Sequence, residues 1–278
     1  MSLSSRDLEA LLQDIEPVAR RAGEVLLRHR QQLAGVRTEF KGRRELVTVA
    51  DRDAERVVVE HLLQRHPEHA VLAEEGVLTP AGQPHRASDR VWIVDPLDGT
   101  TNFVHDLPHF AVAIALVERG VPVLGLVYAP VLGHLYAAAR GVGAFRDGKR
   151  LAVTKTGDLA DALVATGFAY NRNDPAHDDN SGRLARILPR CRDLRRHGSA
   201  ELDLCMVGDG RFDGYWELYL APYDVAAGAV VVVEAGGTVT DLSGGDQWLY
   251  GGQILASNGR IHAEMLAVVG NTRAGEGP

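Results

Sequence analysis

With 278 residues, the chain is long enough for one large domain or two smaller lobes, and for a substantial buried core. Its 45% hydrophobic and 24% charged content is that of an ordinary soluble protein, and a net charge of −7 argues against a general nucleic-acid-binding surface, although not against a local basic patch. Two cysteines, Cys191 and Cys205, argue against a disulfide scaffold or a thiolate metal site. Met1 to Asp14 lacks a hydrophobic signal core, and Val225 to Val233 is too short to span a membrane. A reducing cytoplasm and no membrane association are expected.

In chain order, Leu8, Leu11, Leu12, Ile15, Val18, Ala19, Ala22, Val25 and Leu26 recur at three-and-four spacing and predict a helix from about Ser5 to His29, bent or interrupted by Pro17. Lys41-Gly42-Arg43-Arg44 is expected to be a mobile loop. A second helix follows Leu46 to Ala50, capped by Asp51, with Ala54, Val57, Val58, His61 and Leu62 inward and Pro67 at its end. Ala70 to Ala73 predicts a short buried strand ending in Glu74-Glu75, and Leu78 to Asp89 a loop. Phe110 to Glu118, Pro122 to Tyr128 and His134 to Ala139 fit an antiparallel meander, extended by a hairpin turning at Asp147-Gly148.

From about Leu151 short strands and helices alternate. Strands are expected at Leu163 to Thr166, Leu194 to His197, Phe212 to Leu218 and Gln253 to Ala256. Asn171 to Ser181 is polar and expected to be flexible, and Leu184 to Leu188 helical. Gly198-Ser199 opens a helix, Asp224 caps another over Val225 to Glu234, Gly236-Gly237 ends it, and Ile261 to Val269 supplies the last.

The most informative stretch runs from Trp92 to Phe103. An apolar run delivers Asp95 and Asp98 across Pro96 and before Gly99, and Pro96 is expected to stop the strand. Thr100 and Thr101 are good helix N-cap residues whose neighbouring amides can face an anion. Carboxylates for a hard cation and amides for a phosphate thus sit in one turn, as Mg²⁺ sites require. The same residues also make an ordinary turn. Likewise, Glu74-Glu75 is also ordinary surface charge, Asp224 an ordinary cap, and Glu217 an exposed strand end. Taken together, Glu74, Asp95, Asp98 and Asp224 each stand at a strand end or helix start. Four such charges buried close together require cations, provided the fold brings them together.

Trp92 to His105, and Tyr223-Asp224-Val225-Ala226-Ala227-Gly228 through Glu234-Ala235-Gly236-Gly237, resemble the two signature stretches of the inositol monophosphatase family. Val47-Thr48 before Asp51, Glu74-Glu75, Gly198-Ser199-Ala200 and Glu217 follow in the family's order, so the resemblance covers about residues 5 to 270. It implies a layered α-β-α-β-α sandwich of α+β/α/β class, of the type shared with fructose-1,6-bisphosphatase. Residues 1–150 would form an N-terminal lobe with an antiparallel sheet and most metal ligands. Residues 151–278 would form a C-terminal α/β lobe with Asp224 and the alcohol site.

The resemblance also implies a Mg²⁺-dependent, lithium-sensitive phosphomonoesterase, commonly a homodimer, with two to three ions per site. Glu74, Asp95 and the Leu97 carbonyl would hold the first ion. Asp95, Asp98 and Asp224 would hold the second, and a third would share Glu74. Asp51 and Thr100 would orient and deprotonate the attacking water. Gly99, Thr100 and Thr101 would face the phosphate, and Gly198, Ser199, Ala200 and Glu217 the alcohol. The implied ester is myo-inositol 1-phosphate, then histidinol phosphate, with fructose 1,6-bisphosphate and nucleotide 3′-phosphates as further candidates. A regulatory protein of the RNA machinery is the alternative from another class. Ala73, Tyr223 and Ser199-Ala200-Glu201 depart from the commoner family residues, the last group beside the alcohol site.

Overall fold

The computed structural model describes residues 2–31, 38–41, 45–74, 76–78, 88–170, 174 and 178–270. Glu75, Gly42-Arg43-Arg44, residues 79–87 of the expected loop and most of Asn171 to His177 lie outside the described residues, while Leu78 belongs to a strand.

Helices α1 (Ser5–Arg30) and α2 (Val49–Arg65) precede and follow a small hairpin of β1 (Thr38–Lys41) and β2 (Glu45–Thr48). Next come β3 (Ala70–Ala73), β4 (Gly76–Leu78), β5 (Arg90–Asp98), the short α3 (Thr100–Val104), β6 (Ala111–Glu118), β7 (Val121–Ala129), β8 (His134–Ala139), β9 (Gly143–Arg146) and β10 (Lys149–Arg150). These strands form an eight-stranded sheet in the order β10-β9-β8-β7-β6-β5-β3-β4. The meander from β6 onward is as expected, and Asp147 and Gly148 both take positive φ at its last turn.

The second half supplies β11 (Leu163–Thr166), α4 (Ser181–Ile187), β12 (Asp193–Arg195), α5 (Ala200–Gly208), β13 (Gly214–Leu218), α6 (Ala226–Glu234), β14 (Thr238–Thr240), β15 (Gln253–Ser257) and α7 (His262–Val269). Its five-stranded sheet has the order β12-β11-β13-β15-β14. No helix among the described residues is long and apolar enough to cross a membrane. Both cysteines are free thiols.

Three apolar layers hold these elements together, giving the α-β-α-β-α order. One packs α1 and α2 on the eight-stranded sheet through Ile15, Ala22, Leu62, Trp92 and Ile114. A second joins the opposite face to α5, α6 and the five-stranded sheet through Ile93, Ala113, Leu204, Val231 and Tyr215. The third covers the outer face of the small sheet with α4 and α7 through Ile187, Trp216 and Met265. Both faces of the large sheet are therefore buried, which is why its strands read as continuous apolar runs. Ala111, Ala113 and Ala115 are small on the α6 side, and a Cβ at Gly125 would collide with the Ala227 backbone. Glycine there lets α6 lie close against the sheet.

Several local expectations are corrected. Helix α1 runs unbroken past Pro17. Asp51 lies in the first turn of α2 rather than capping it, because the helix begins at Val49. Strand β5 does not stop at Pro96 but continues to Asp98 with a register shift, pairing Asp95 with Ala113 and Asp98 with Ala111. The cap of α3 is Gly99 at φ 90°, not Thr100 or Thr101. Asp224 belongs to a 3₁₀ turn, Pro222–Asp224, and α6 starts after Val225. The close of α6 is as expected: Gly236 N and Gly237 N donate to Val233 O and Val232 O.

Candidate active site

The irregularity in β5 brings its two acids to one side. Residues three apart on a regular strand point to opposite faces. Between the two pairings β5 advances three residues (95 to 98) while β6 advances two (113 to 111), which is a one-residue bulge. The bulge turns Asp98 to the α5–α6 side, where Asp95 already points, and sends Leu97 into the opposite core. Pro96 suits the bulge because no ladder donor is needed there. Strand β3 runs parallel to β5 with Ala73 opposite Val94, so Glu74 emerges beside Asp95 at adjacent carboxyl ends. Asp224 arrives from the 3₁₀ turn ahead of α6.

These residues line a cleft of about 380 Å³ together with Leu97, Gly99, Thr100, Gly198, Ala200 and Glu217. Asp95 is 2% exposed and Asp98 7%. Burial pushes the Asp95 carboxyl well above its usual range, and the charges of Glu74, Asp98, Asp224 and Asp51 push it further. Burial also raises Asp224, with Asp98 and Glu74 adding to the effect. Asp98 is raised to about 6 by burial, held down by three hydrogen bonds. Like charges out of water thus oppose one another here.

Backbone amides fix these carboxylates. Leu97 N donates to Asp95 Oδ1 at 2.9 Å, and Ala221 N to Asp224 Oδ2 at 2.6 Å. Asp98 accepts from Ser199 Oγ at 2.5 Å, Ala200 N at 3.1 Å and Glu201 N at 2.8 Å, so it sits on the N-terminus of α5. Two carboxylate oxygens offer about four acceptor positions, leaving Asp98 room for one more partner. A set of carboxylates fixed from behind and facing one polar cleft fits hard divalent cations such as Mg²⁺.

Of the other expected residues, Asp51, Thr101 and Ser199 are not among those lining the cleft. Asp51 is fully buried, and its charge reaches Asp95. The Thr100 hydroxyl donates to the Leu97 carbonyl at 3.1 Å. Asn102 Nδ2 donates to the carbonyls of His109 and His197 at 2.6 and 2.8 Å, which ties α3 to the segments before β6 and α5. Gly198 and Ala200 stand at that loop, and Glu217 at the end of β13. Glu217 accepts from the Tyr215 hydroxyl, and its carboxyl is raised to about 7 by burial.

Sequence reasoning missed four contributors. Tyr170, Tyr219 and Arg196 line the cleft from loops, where no periodicity marks a residue. Glu201, noticed only as a departure from the family pattern, is fully buried, and its carboxylate accepts from Ala227 N at 3.1 Å and from Gly228 N. Elsewhere, His66, Glu68 and His69 bring ligand atoms within 4.8 Å of one another. Trp92 Nε1 donates to His69 Nδ1 at 3.1 Å, so the neutral ring keeps its proton on Nε2 and has no lone pair to offer an ion. No three of the cleft acids meet that spacing among the described residues. Burial, like charge and oxygen donors are what suit the cleft to cations.

Residues 7–273 match the model of the inositol monophosphatase family. The Nus factor SuhB of Vibrio cholerae is 40% identical over 243 residues, covering 87% of this chain and 89% of that protein. The crystal structure of the extragenic suppressor protein suhB from Bartonella henselae superposes with TM-score 0.87 at 36% identity, covering 94% of this chain and 98% of that one. The inositol monophosphatase from Anabaena (Nostoc) sp. PCC 7120 gives TM-score 0.84 at 36% identity, covering 94% and 96%. The layered sheets are those of these neighbours, and the chain belongs to the inositol monophosphatase family.

Proposed function

We propose that this chain is a Mg²⁺-dependent phosphomonoesterase acting on small polyhydroxy-alcohol phosphates. The observation that carries the reading is the convergence of Asp95, Asp98 and Asp224 with Glu74 on one cleft, each of the three aspartates held from behind by backbone amides. Glu74, Asp95, the Leu97 carbonyl, Asp98 and Asp224 would hold two to three ions. Bound there, the ions supply charge neutralisation and Lewis acidity, the needs of phosphate ester hydrolysis.

The protein's share is positioning. Asp51 and Thr100 orient a water and take its proton. Gly99 and Thr101 offer backbone and hydroxyl donors to the phosphate at the start of α3. Glu217, which lines the cleft with Gly198 and Ala200, accepts hydrogen bonds from the alcohol's hydroxyls, and Ser199 stands between those two residues in the chain. Within this class, myo-inositol 1-phosphate is the first ester to assay, followed by histidinol phosphate, fructose 1,6-bisphosphate and nucleotide 3′-phosphates. Release of inorganic phosphate from this panel with Mg²⁺, with and without Li⁺, tests the reading; no turnover of any ester by folded, Mg²⁺-loaded protein refutes it. A homodimer in the cytoplasm, each copy built of lobes 1–150 and 151–278, completes the proposal.

A second reading is favoured by the names of relatives. Proteins 39–40% identical to this chain, from Escherichia coli and Vibrio cholerae, are called Nus factor SuhB. We propose as the alternative a role beside the RNA machinery, exercised with or without phosphatase activity. Pull-down from extract separates the two, since a purely metabolic enzyme brings down no transcription protein.

A further inference from the structure

Two tyrosines open onto the cleft in a way the metal chemistry does not use. Tyr219 follows the end of β13 and has φ 60°. For a bulky residue that is a true outlier, and such strain gathers at ligand clamps. Its hydroxyl accepts a 2.8 Å hydrogen bond from Asp178 N. Tyr170 stands four residues after the end of β11, and its hydroxyl lies 3.2 Å from Thr101 Oγ1. Both residues line the cleft, yet they remain 46% (Tyr170) and 43% (Tyr219) exposed.

The polar tip of each ring is thus engaged, and what remains for a ligand is aromatic surface held in place in advance. Rings fixed at their tips lose little freedom when a ligand packs on them. Tyr170 reaches toward the phosphate end through Thr101. Tyr219 stands two residues from Glu217, at the alcohol end.

We propose that Tyr170 and Tyr219 select esters whose alcohol carries a planar aromatic heterocycle, the ring packing on the tyrosine faces while Glu217 takes a hydroxyl or amine of the same alcohol. The proposal rests on the phosphomonoesterase reading and narrows it. A cyclitol phosphate meets the same hydroxyl acceptor but offers the tyrosines no π-face. Stacking of a base on an aromatic side chain contributes enough for about a ten-fold preference.

The test compares kcat/KM, with Mg²⁺, for adenosine 3′-monophosphate, histidinol phosphate and myo-inositol 1-phosphate. These probes separate a nucleobase from an imidazole, and both from no aromatic ring. Wild-type protein is expected to prefer at least one ring-bearing ester about ten-fold over myo-inositol 1-phosphate. Tyr219→Gly, which suits the backbone at that position, and Tyr170→Ala are each expected to lower that ratio about five-fold, mainly through KM. Tyr219→Phe keeps the face but loses the bond from Asp178 N, and is expected to lower the ratio less than Tyr219→Gly does, which guards against reading a folding defect as a lost contact.

A wild-type preference for the ring-free ester, or ratios unmoved by Tyr219→Gly and Tyr170→Ala, overturns the proposal while leaving the phosphomonoesterase reading intact. If no ester turns over, that reading fails, and calorimetric binding of the same three esters decides the clamp by the same ratio.

Discussion

The Ser199 hydroxyl donates to Asp98 Oδ2 at 2.5 Å, joining the start of α5 to the end of β5 across 101 residues of chain. This bond favours the charged carboxylate, against the burial that pushes Asp98 up to about 6. Ser199→Ala is therefore expected to weaken Mn²⁺ binding about ten-fold, since a hydrogen bond to a charged group contributes roughly 1.5–3 kcal/mol. Calorimetric titration checks this. Unchanged Mn²⁺ affinity would show that the bond does nothing for the carboxylate's charge.

Asp95 stands where Glu74, Asp98, Asp224 and Asp51 all act on it. Removing one charge from a crowded buried group relieves repulsion, so Asp95→Asn is expected to fold and to melt no lower than wild type without metal. It is also expected to lose activity, and Mg²⁺, expected to raise the melting temperature of wild type, should not raise that of the variant. Scanning calorimetry with EDTA and then with excess Mg²⁺ reads both effects. Residual turnover near the wild-type level would remove Asp95 from its central place.

How far the site is legible in sequence depends on what each residue owes to its neighbours in the chain. Asp95 and Asp98 are visible because an apolar strand, Pro96 and Gly99 surround them. Their common orientation is not, because a strand counted in twos sends them apart, and only pairing with β6 reveals the bulge. Glu74 announces itself as a strand end, but its adjacency to Asp95 comes from the parallel register of β3 on β5. Individual helices and strands were readable from periodicity, whereas their layered order came only from the family resemblance. Glu201 was not readable as a buried group: Glu is a surface residue by habit, and nothing local says that the start of α6 will arrive to take its carboxylate. Tyr170 and Tyr219 sit in loops whose shape depends on distant partners.

Glu201 carries the next prediction. Its carboxylate accepts from Ala227 N and Gly228 N, two amides of the first turn of α6 that have no helical partner. Glu201→Ala strands both donors in a dry place, at roughly 1–3 kcal/mol for each unsatisfied group. A net loss of about 2 kcal/mol is expected by urea denaturation. Glu201→Gln keeps one acceptor and should lose about half as much. Equal stability of all three proteins would mean that water replaces the carboxylate.

His69 gives the fold a pH dependence of its own. It is 5% exposed, accepts from Trp92 Nε1, and burial lowers its pKa from the usual 6.5 to about 4. Below pH 6.5 the unfolded chain takes up a proton that the folded chain refuses until about pH 4. Stability is thus whole above the unfolded value and is lost as pH falls through that window, by at most about 3 kcal/mol. His69→Gln leaves Trp92 a carbonyl to donate to and removes the titration. Urea denaturation at pH 7.5 and 4.5 is expected to show a smaller loss in the variant than in wild type, the difference isolating His69 from the carboxylates that titrate in both. Parallel losses would mean that the His69 ring protonates in the folded state as readily as in the unfolded chain.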